Sequence, residues 1–304
     1  MSATIARQQL LSLRRQQVVA VLIAAVVAMT VAAGLIGWSS HLTIERVYSE
    51  ATRLLAATGR SAPADPFARR PPLSLLSNIA VYLSLAGGLL ALVLGHLSVA
   101  AEQFDGVGRL VFCRRVSRSA YIQGKLIGVA TILVAALGAS LAMSSVSVVV
   151  VNGSLSGAQL ARLASFFALS WLYLMVFALA GMAATLLSRR RALGLVWGLG
   201  IWIVLTFAVP QFTSGLRPVA SLNPVTNPVS TSQTFFRISA HFRPASLDEQ
   251  YKTASGSILQ TAPAQSASEI GISIAAISTA ALILSFGVGL LVRRHDYSKV
   301  QSDG

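Results

Sequence analysis

Residues 102–125 read EQFDGVGRLVFCRRVSRSAYIQGK, and this stretch, set between two long apolar runs, decides how the rest of the chain is understood. Residues 98–112 can stay helical, with Val99, Phe104, Val107, Leu110 and Val111 on one side and Glu102, Asp105 and Arg109 elsewhere. Arg114 and Arg115 mark a turn. Ser117 can then cap a helix that carries Arg118, Tyr121 and Ile122 into the next apolar run. The expectation is a helix, a break and a second helix lying parallel to a membrane, a surface on which a soluble partner can dock.

Composition agrees with a membrane setting. Of 304 residues, 54% are hydrophobic and only 11% charged, and the mean hydropathy is +0.69, too apolar for an ordinary soluble domain. Runs of membrane length fall at about 18–38, 75–97, 126–151, 163–187, 192–209 and 270–292. The expected fold is therefore all-α and integral to a membrane, one transmembrane domain over 1–304 with six spans. The first run follows Arg7, Arg14 and Arg15 like a signal peptide, but it is longer than a usual h-region and is read as a retained anchor. Cys113 is the single cysteine, and His41, His96, His241 and His295 lie without ligand spacing, so no metal or cofactor is expected in this chain.

The net charge of +14 is accounted for by sides of the bilayer rather than by nucleic acid, which is not expected as a partner. With both termini in the cytoplasm, Arg7, Arg14, Arg15, Arg109, Arg114, Arg115, Arg118, Lys125, Arg189–Arg191, Arg293, Arg294 and Lys299 crowd into short loops and tails on that side. The remaining basic residues are diluted through loops 39–74 and 210–269, among Glu45, Glu50, Asp65, Asp248, Glu249 and Glu269. Positive-inside reasoning thus predicts N-in, C-in. No Asp, Glu, Lys or Arg falls inside a span, where each would cost on the order of 3 kcal/mol, which argues against an ion-driven carrier working alone.

Helix contacts should then come from Gly87–Gly88, the Ser140/Ser144/Ser147 stripe, and Gly194 with Gly198 at GxxxG spacing, either within the chain or at a dimer seam. In the first loop, 41–57 has Ile44, Val47, Ala51, Leu54 and Leu55 on one face, predicting a helix on the membrane surface or against another external helix. Pro63, Pro66, Pro71 and Pro72 predict a non-helical return. In the second, Ser246 and Glu249 form a capping box for a helix to about Gln260, with Leu247, Tyr251, Ala254 and Ile258 as its apolar side. These loops read as a small ordered cap that protects helix ends or acts as a gate or partner site.

Glu102, Gly106, the apolar Leu110–Phe112, Ser117-Arg118 and Gly124-Lys125 stand in an order that resembles the ABC type-2 permease family, whose usual form is E-x-x-x-G-T-L, an apolar run, P-x-S-R and G-K. Val107-Gly108 and Arg115-Val116 depart from it. The layout is similar to the permease of the nitrous-oxide-reductase maturation system, without implying its substrate. The resemblance implies a transport subunit of the type V exporter kind in a bacterial plasma membrane: two permease copies, a homodimer, each docked through the insert onto a separate cytoplasmic ABC ATPase that holds ATP and Mg. Glu102, Asp105, Arg109, Arg114, Arg115 and Arg118 are the candidate docking residues, although the arginines would also enforce topology and bind anionic lipid. Asn78, Tyr82 and Ser84 in span two and Trp202 and Thr206 in span five are candidate path residues, with hydrogen bonding inside the bundle as the other reading. An alternative function is a membrane adaptor that relays ATPase force to an extracytoplasmic protein without moving a solute.

Two motifs are set aside. Leu155-Ser-Gly-Ala-Gln159 resembles the ATPase signature sequence, but no Walker A motif occurs and Ser156 is better read as a helix N-cap. An intramembrane enzyme would need a nucleophile and base in reach of each other, and no such pair is evident, so the chain is not expected to be an enzyme.

Overall fold

The computed structural model describes residues 7, 17–59, 71–104, 117–188, 190–213, 238, 241–261 and 266–294. Among them the regular elements are all helical: α1 Gln17–Ala57, a 3-10 turn Pro72–Leu76, α2 Ser77–Tyr82, a π turn Leu83–Gly87, α3 Gly88–Phe104, α4 Arg118–Asn152, α5 Gly157–Leu187, α6 Arg191–Ile203, a second π turn Val204–Ala208, α7 Val209–Thr213, a 3-10 turn Arg243–Ala245, α8 Leu247–Ile258 and α9 Ala267–Arg294. Six of the resulting helical runs are long and apolar enough to cross a membrane. The chain is a multi-pass membrane protein.

The first span differs from expectation. Instead of a helix to about residue 38 and a separate one lying on the surface, Gln17–Ala57 is one unbroken helix of 41 residues. At 1.5 Å per residue it is about 60 Å long, twice the hydrocarbon thickness. No proline or π bulge interrupts it, so nothing forces the sharp turn that a surface-lying segment would need.

Sequence caps set several helix starts. The Ser117 hydroxyl accepts from the Ala120 amide at the start of α4. At α5, Ser156 and Gln159 form a reciprocal capping box, and at α8 the Ser246 hydroxyl accepts from the Glu249 amide. Each satisfies an amide that the first turn leaves without a partner.

Helix α5 is the centre of the bundle. Phe166, Tyr173, Phe177, Ala178 and Met182 are fully buried on it, whereas α6 exposes Val196, Trp197 and Ile203 and α9 exposes Leu282, Ile283 and Phe286. The tightest crossing is that of α3 on α5. A methyl group at Gly95 would lie 1.9 Å from the Ala178 carbonyl oxygen, and one at Gly181 would lie 2.2 Å from that of Leu92. Backbone meets backbone there, in the manner of small-residue packing in membranes. Gly194 and Gly198 seat α6 inside this chain, against Thr185 and Leu92 respectively.

The helices define two ends. Gln103 donates to the Ser188 carbonyl, and Arg118 to that of Arg293, which gathers the ends of α3, α5 and α9 and the start of α4 around the insert. At the far end, Gly37, Pro72, Asn78 and Asn152 line one cavity of about 240 Å³.

Candidate functional site

Of the candidate docking residues, Asp105, Arg109, Arg114 and Arg115 lie outside the described residues. Glu102 sits in the last turn of α3, and Arg118 opens α4, exposed. The described part shows how the two edges of the insert are tied down. Gln103, buried, sends its amide 3.0 Å to the Ser188 carbonyl in the turn before α6. Lys125, 3% exposed, reaches back 2.7 Å to the Ser98 carbonyl and lies 5.6 Å from the centre of the Tyr121 ring. A buried ammonium is costly unless it is hydrogen-bonded, and here a main-chain carbonyl of α3 and an aromatic face supply what water would. The Gly124-Lys125 motif is therefore a brace between the two sides of the insert.

One turn deeper, the His96 Nδ1 lies 2.8 Å from the Thr185 hydroxyl, which itself donates to the Gly181 carbonyl at 2.7 Å. A hydroxyl has a single proton to give, so Nδ1 must be the donor in this pair. His96 thus fastens α3 to α5 beside the glycine crossing.

The candidate path residues fall into two groups. Asn78 lines the far-end cavity together with Ser40, His41, Ser74, Ser77 and Asn152. Ser84 is fully buried in the first π turn and donates to the Val81 carbonyl at 3.1 Å. Thr206 is buried in the second π turn. Trp202 joins the two runs, its indole donating to the Leu85 carbonyl at 3.1 Å. Tyr82, half-buried, packs against the core just before the first π turn. Trp202, two residues before the second π turn, is thus bonded to the first, and Ser84 and Thr206 are each buried within one of the two turns. Such wide turns disturb the regular hydrogen-bond ladder and recur at functional sites.

Sequence reasoning missed what lies against those turns. Helix α8, read as part of an external cap, is wedged between α5 and α9 and reaches both π turns. Its polar first turn is inside: Asp248 is 1% and Glu249 8% exposed. Asp248 pairs with Lys252 at 2.7 Å and accepts from the Tyr173 hydroxyl at 3.5 Å. Glu249 pairs with Arg243 at 3.1 Å. The Tyr173 and Tyr251 rings stack with centroids 4.3 Å apart, and the Tyr251 hydroxyl meets that of Ser170 at 2.9 Å.

Burial pushes the Glu249 carboxyl above its ordinary range, against the opposing pull of Arg243 and of the Thr213 hydroxyl nearby. Burial likewise raises the Tyr251 phenol, with the Ser170 hydrogen bond opposing. The apolar period of α8, with Tyr251 and Ala254 fully buried, was legible in the sequence. The burial of its acidic face was not.

Among the described residues no group of three His, Cys, Asp or Glu is placed to hold a metal. Comparison with curated proteins gives no match. The model of the family described as ABC-2 family transporter protein matches residues 3–294, nearly the whole chain. With its six apolar helices and the insert between the second and third, the chain belongs to the ABC-2 transporter family.

Proposed function

We propose that this chain is the permease subunit of an ATP-driven exporter in a bacterial plasma membrane, with both termini cytoplasmic, working as a homodimer and driven by a separate cytoplasmic ATPase that docks on the insert. Topology follows from the crowding of arginine and lysine at the insert end. The observation that carries the reading is the double anchorage of the insert. Its leading edge is bonded through Gln103 to the turn between α5 and α6, and its trailing edge through Lys125 to α3 and through Arg118 to α9. A push on residues 105–116 would be delivered to four spans together, which is what coupling to a soluble motor requires.

Co-purification from membranes tests this, with wild type beside a Glu102→Ala/Arg109→Ala variant and an ATPase assay on what is recovered. The reading expects an ATPase with the wild type that is lost or uncoupled in the variant. Recovery of no ATPase under gentle nanodisc conditions would overturn it.

A second reading, the adaptor, draws on the length of α1. The helix continues far past a bilayer's thickness and exposes Val47 and Leu54 on that extension. Photo-crosslinking from position 54 to an extracytoplasmic protein, with no solute moved by the reconstituted complex, would favour it.

A further inference from the structure

We infer that Asp248 and Glu249 are positioning residues for transport: they hold α8 as a reversible wedge against the π turns of two spans, and protonation of Glu249 tightens its seat. The consequence for transport rests on the permease reading above; the seating itself does not.

The charge arrangement makes the wedge separable. Both cations that neutralise the acidic pair travel with α8. Lys252 lies on the helix itself, and Arg243 on the 3-10 turn that leads into it. Hydrogen bonds from the spans are neutral: Ser170 to Tyr251, Tyr173 to Asp248 and Ser273 to Gln250, and the group nearby on α7 is the neutral Thr213 hydroxyl. Withdrawing α8 would therefore strand no charge in the bundle, where an unpaired one would be prohibitive.

The hydroxyls left behind also have partners at home. Ser170 lies 2.8 Å from the Phe166 carbonyl, Ser273 3.1 Å from that of Glu269, and Thr213 3.1 Å from that of Val209. Each is the carbonyl four residues back in its own helix, so three of the four span groups stay satisfied when α8 leaves.

The seat matters because of what it touches. Helix α8 reaches Leu83–Gly87 and Val204–Ala208, the two places where the ladders of the second and fifth spans are already widened and bending is easiest. Seated, the wedge fixes both turns. Withdrawn, it frees them together.

Protonation sets the balance in a definite direction. Charged groups facing Glu249 are Arg243 from the 3-10 turn and Asp248 on its own helix, the latter paired with Lys252; α5, α7 and α9 present the neutral Tyr173, Thr213 and Ser273. Seated, the carboxyl is held above its ordinary range by burial; withdrawn into water, it would return to that range. The seated state therefore binds the proton more tightly. Acidification through this window tightens the wedge, and alkalinisation loosens it.

The test uses the full chain in nanodiscs with Cys113→Ser and Ala254→Cys, since Ala254 is fully buried on α8. Labelling by a membrane-impermeant maleimide reports withdrawal, normalised at each pH to labelling of an exposed Thr261→Cys control. The normalised rate is expected to fall several-fold from about pH 8 to about pH 5. Glu249→Gln should hold it at the low value throughout. Arg243→Gln removes the opposing cation and should move the transition to higher pH, which keeps the proposal falsifiable should Glu249→Gln misfold. A normalised rate independent of pH, or an unaltered profile in the variants, would overturn it. The readout needs no ATPase, so its outcome is separate from that of the co-purification.

Discussion

The Trp202 indole of α6 donates at 3.1 Å to the carbonyl of Leu85 in the first π turn, 117 residues away in sequence. Trp202 also meets Phe207 edge-on at 5.3 Å, so one side chain of α6 touches both the π turn that follows it and the π turn of the second span. Trp202→Phe keeps most of the ring and removes the donor. The expected loss is about 1 kcal/mol, and a fall in Tm of roughly 2 °C in detergent. An unchanged Tm would mean that the Leu85 carbonyl finds another partner at no cost.

Gly95→Ala should be the most damaging single methyl in the bundle. The added carbon would lie 1.9 Å from a main-chain oxygen of α5, which cannot turn aside as a side chain can. Separating the helices should cost about 3 kcal/mol or more. Gly138→Ala, with nothing within 4 Å, is the matched control and should be neutral. Equal expression and Tm for the two variants would contradict the α3–α5 crossing.

Lys125→Met should uncouple rather than unfold. It retains the packing of the stem and loses the bond to the Ser98 carbonyl across the base of the insert. ATPase activity of the purified complex should drop several-fold, whereas Thr131→Ala, on the exposed side of α4, should leave it intact. Full activity in Lys125→Met would remove the brace from the coupling route.

Glu249 gives a signed pH dependence of stability. Its folded carboxyl is raised above the unfolded value by burial, so in the window between the two the folded chain binds more protons. Stability should therefore rise as pH falls through that window and decline as pH rises through it. Glu249→Gln should flatten that portion of the Tm-against-pH curve. A wild-type curve that declines on acidification there would reverse the assignment.

How much was legible differs by feature. Six apolar runs, the insert and the caps at Ser117, Ser156 and Ser246 could be read directly, because membrane span length and hydrogen bonding of a helix's first turn depend on nearby residues. The Gly194/Gly198 spacing was visible, but Gly95 and Gly181 were not singled out: a crossing depends on which carbonyl arrives opposite, a fact about another helix. The unbroken α1 was missed because the change from apolar to amphipathic near residue 39 resembles a boundary, while the backbone has no reason to stop there.

By itself the sequence determined that this chain has six runs long and apolar enough to cross a membrane and a charged stretch between the second and third, since hydropathy and charge are properties of the residues themselves. Only the tertiary structure decided that α8 and its carboxylates lie inside the bundle, against the two π turns. An acidic, soluble-looking helix acquires that position through Lys252 and Arg243 on its own side and hydroxyls on α5, α7 and α9. The free energy of burying a charge is set by those partners rather than by the residue that bears it.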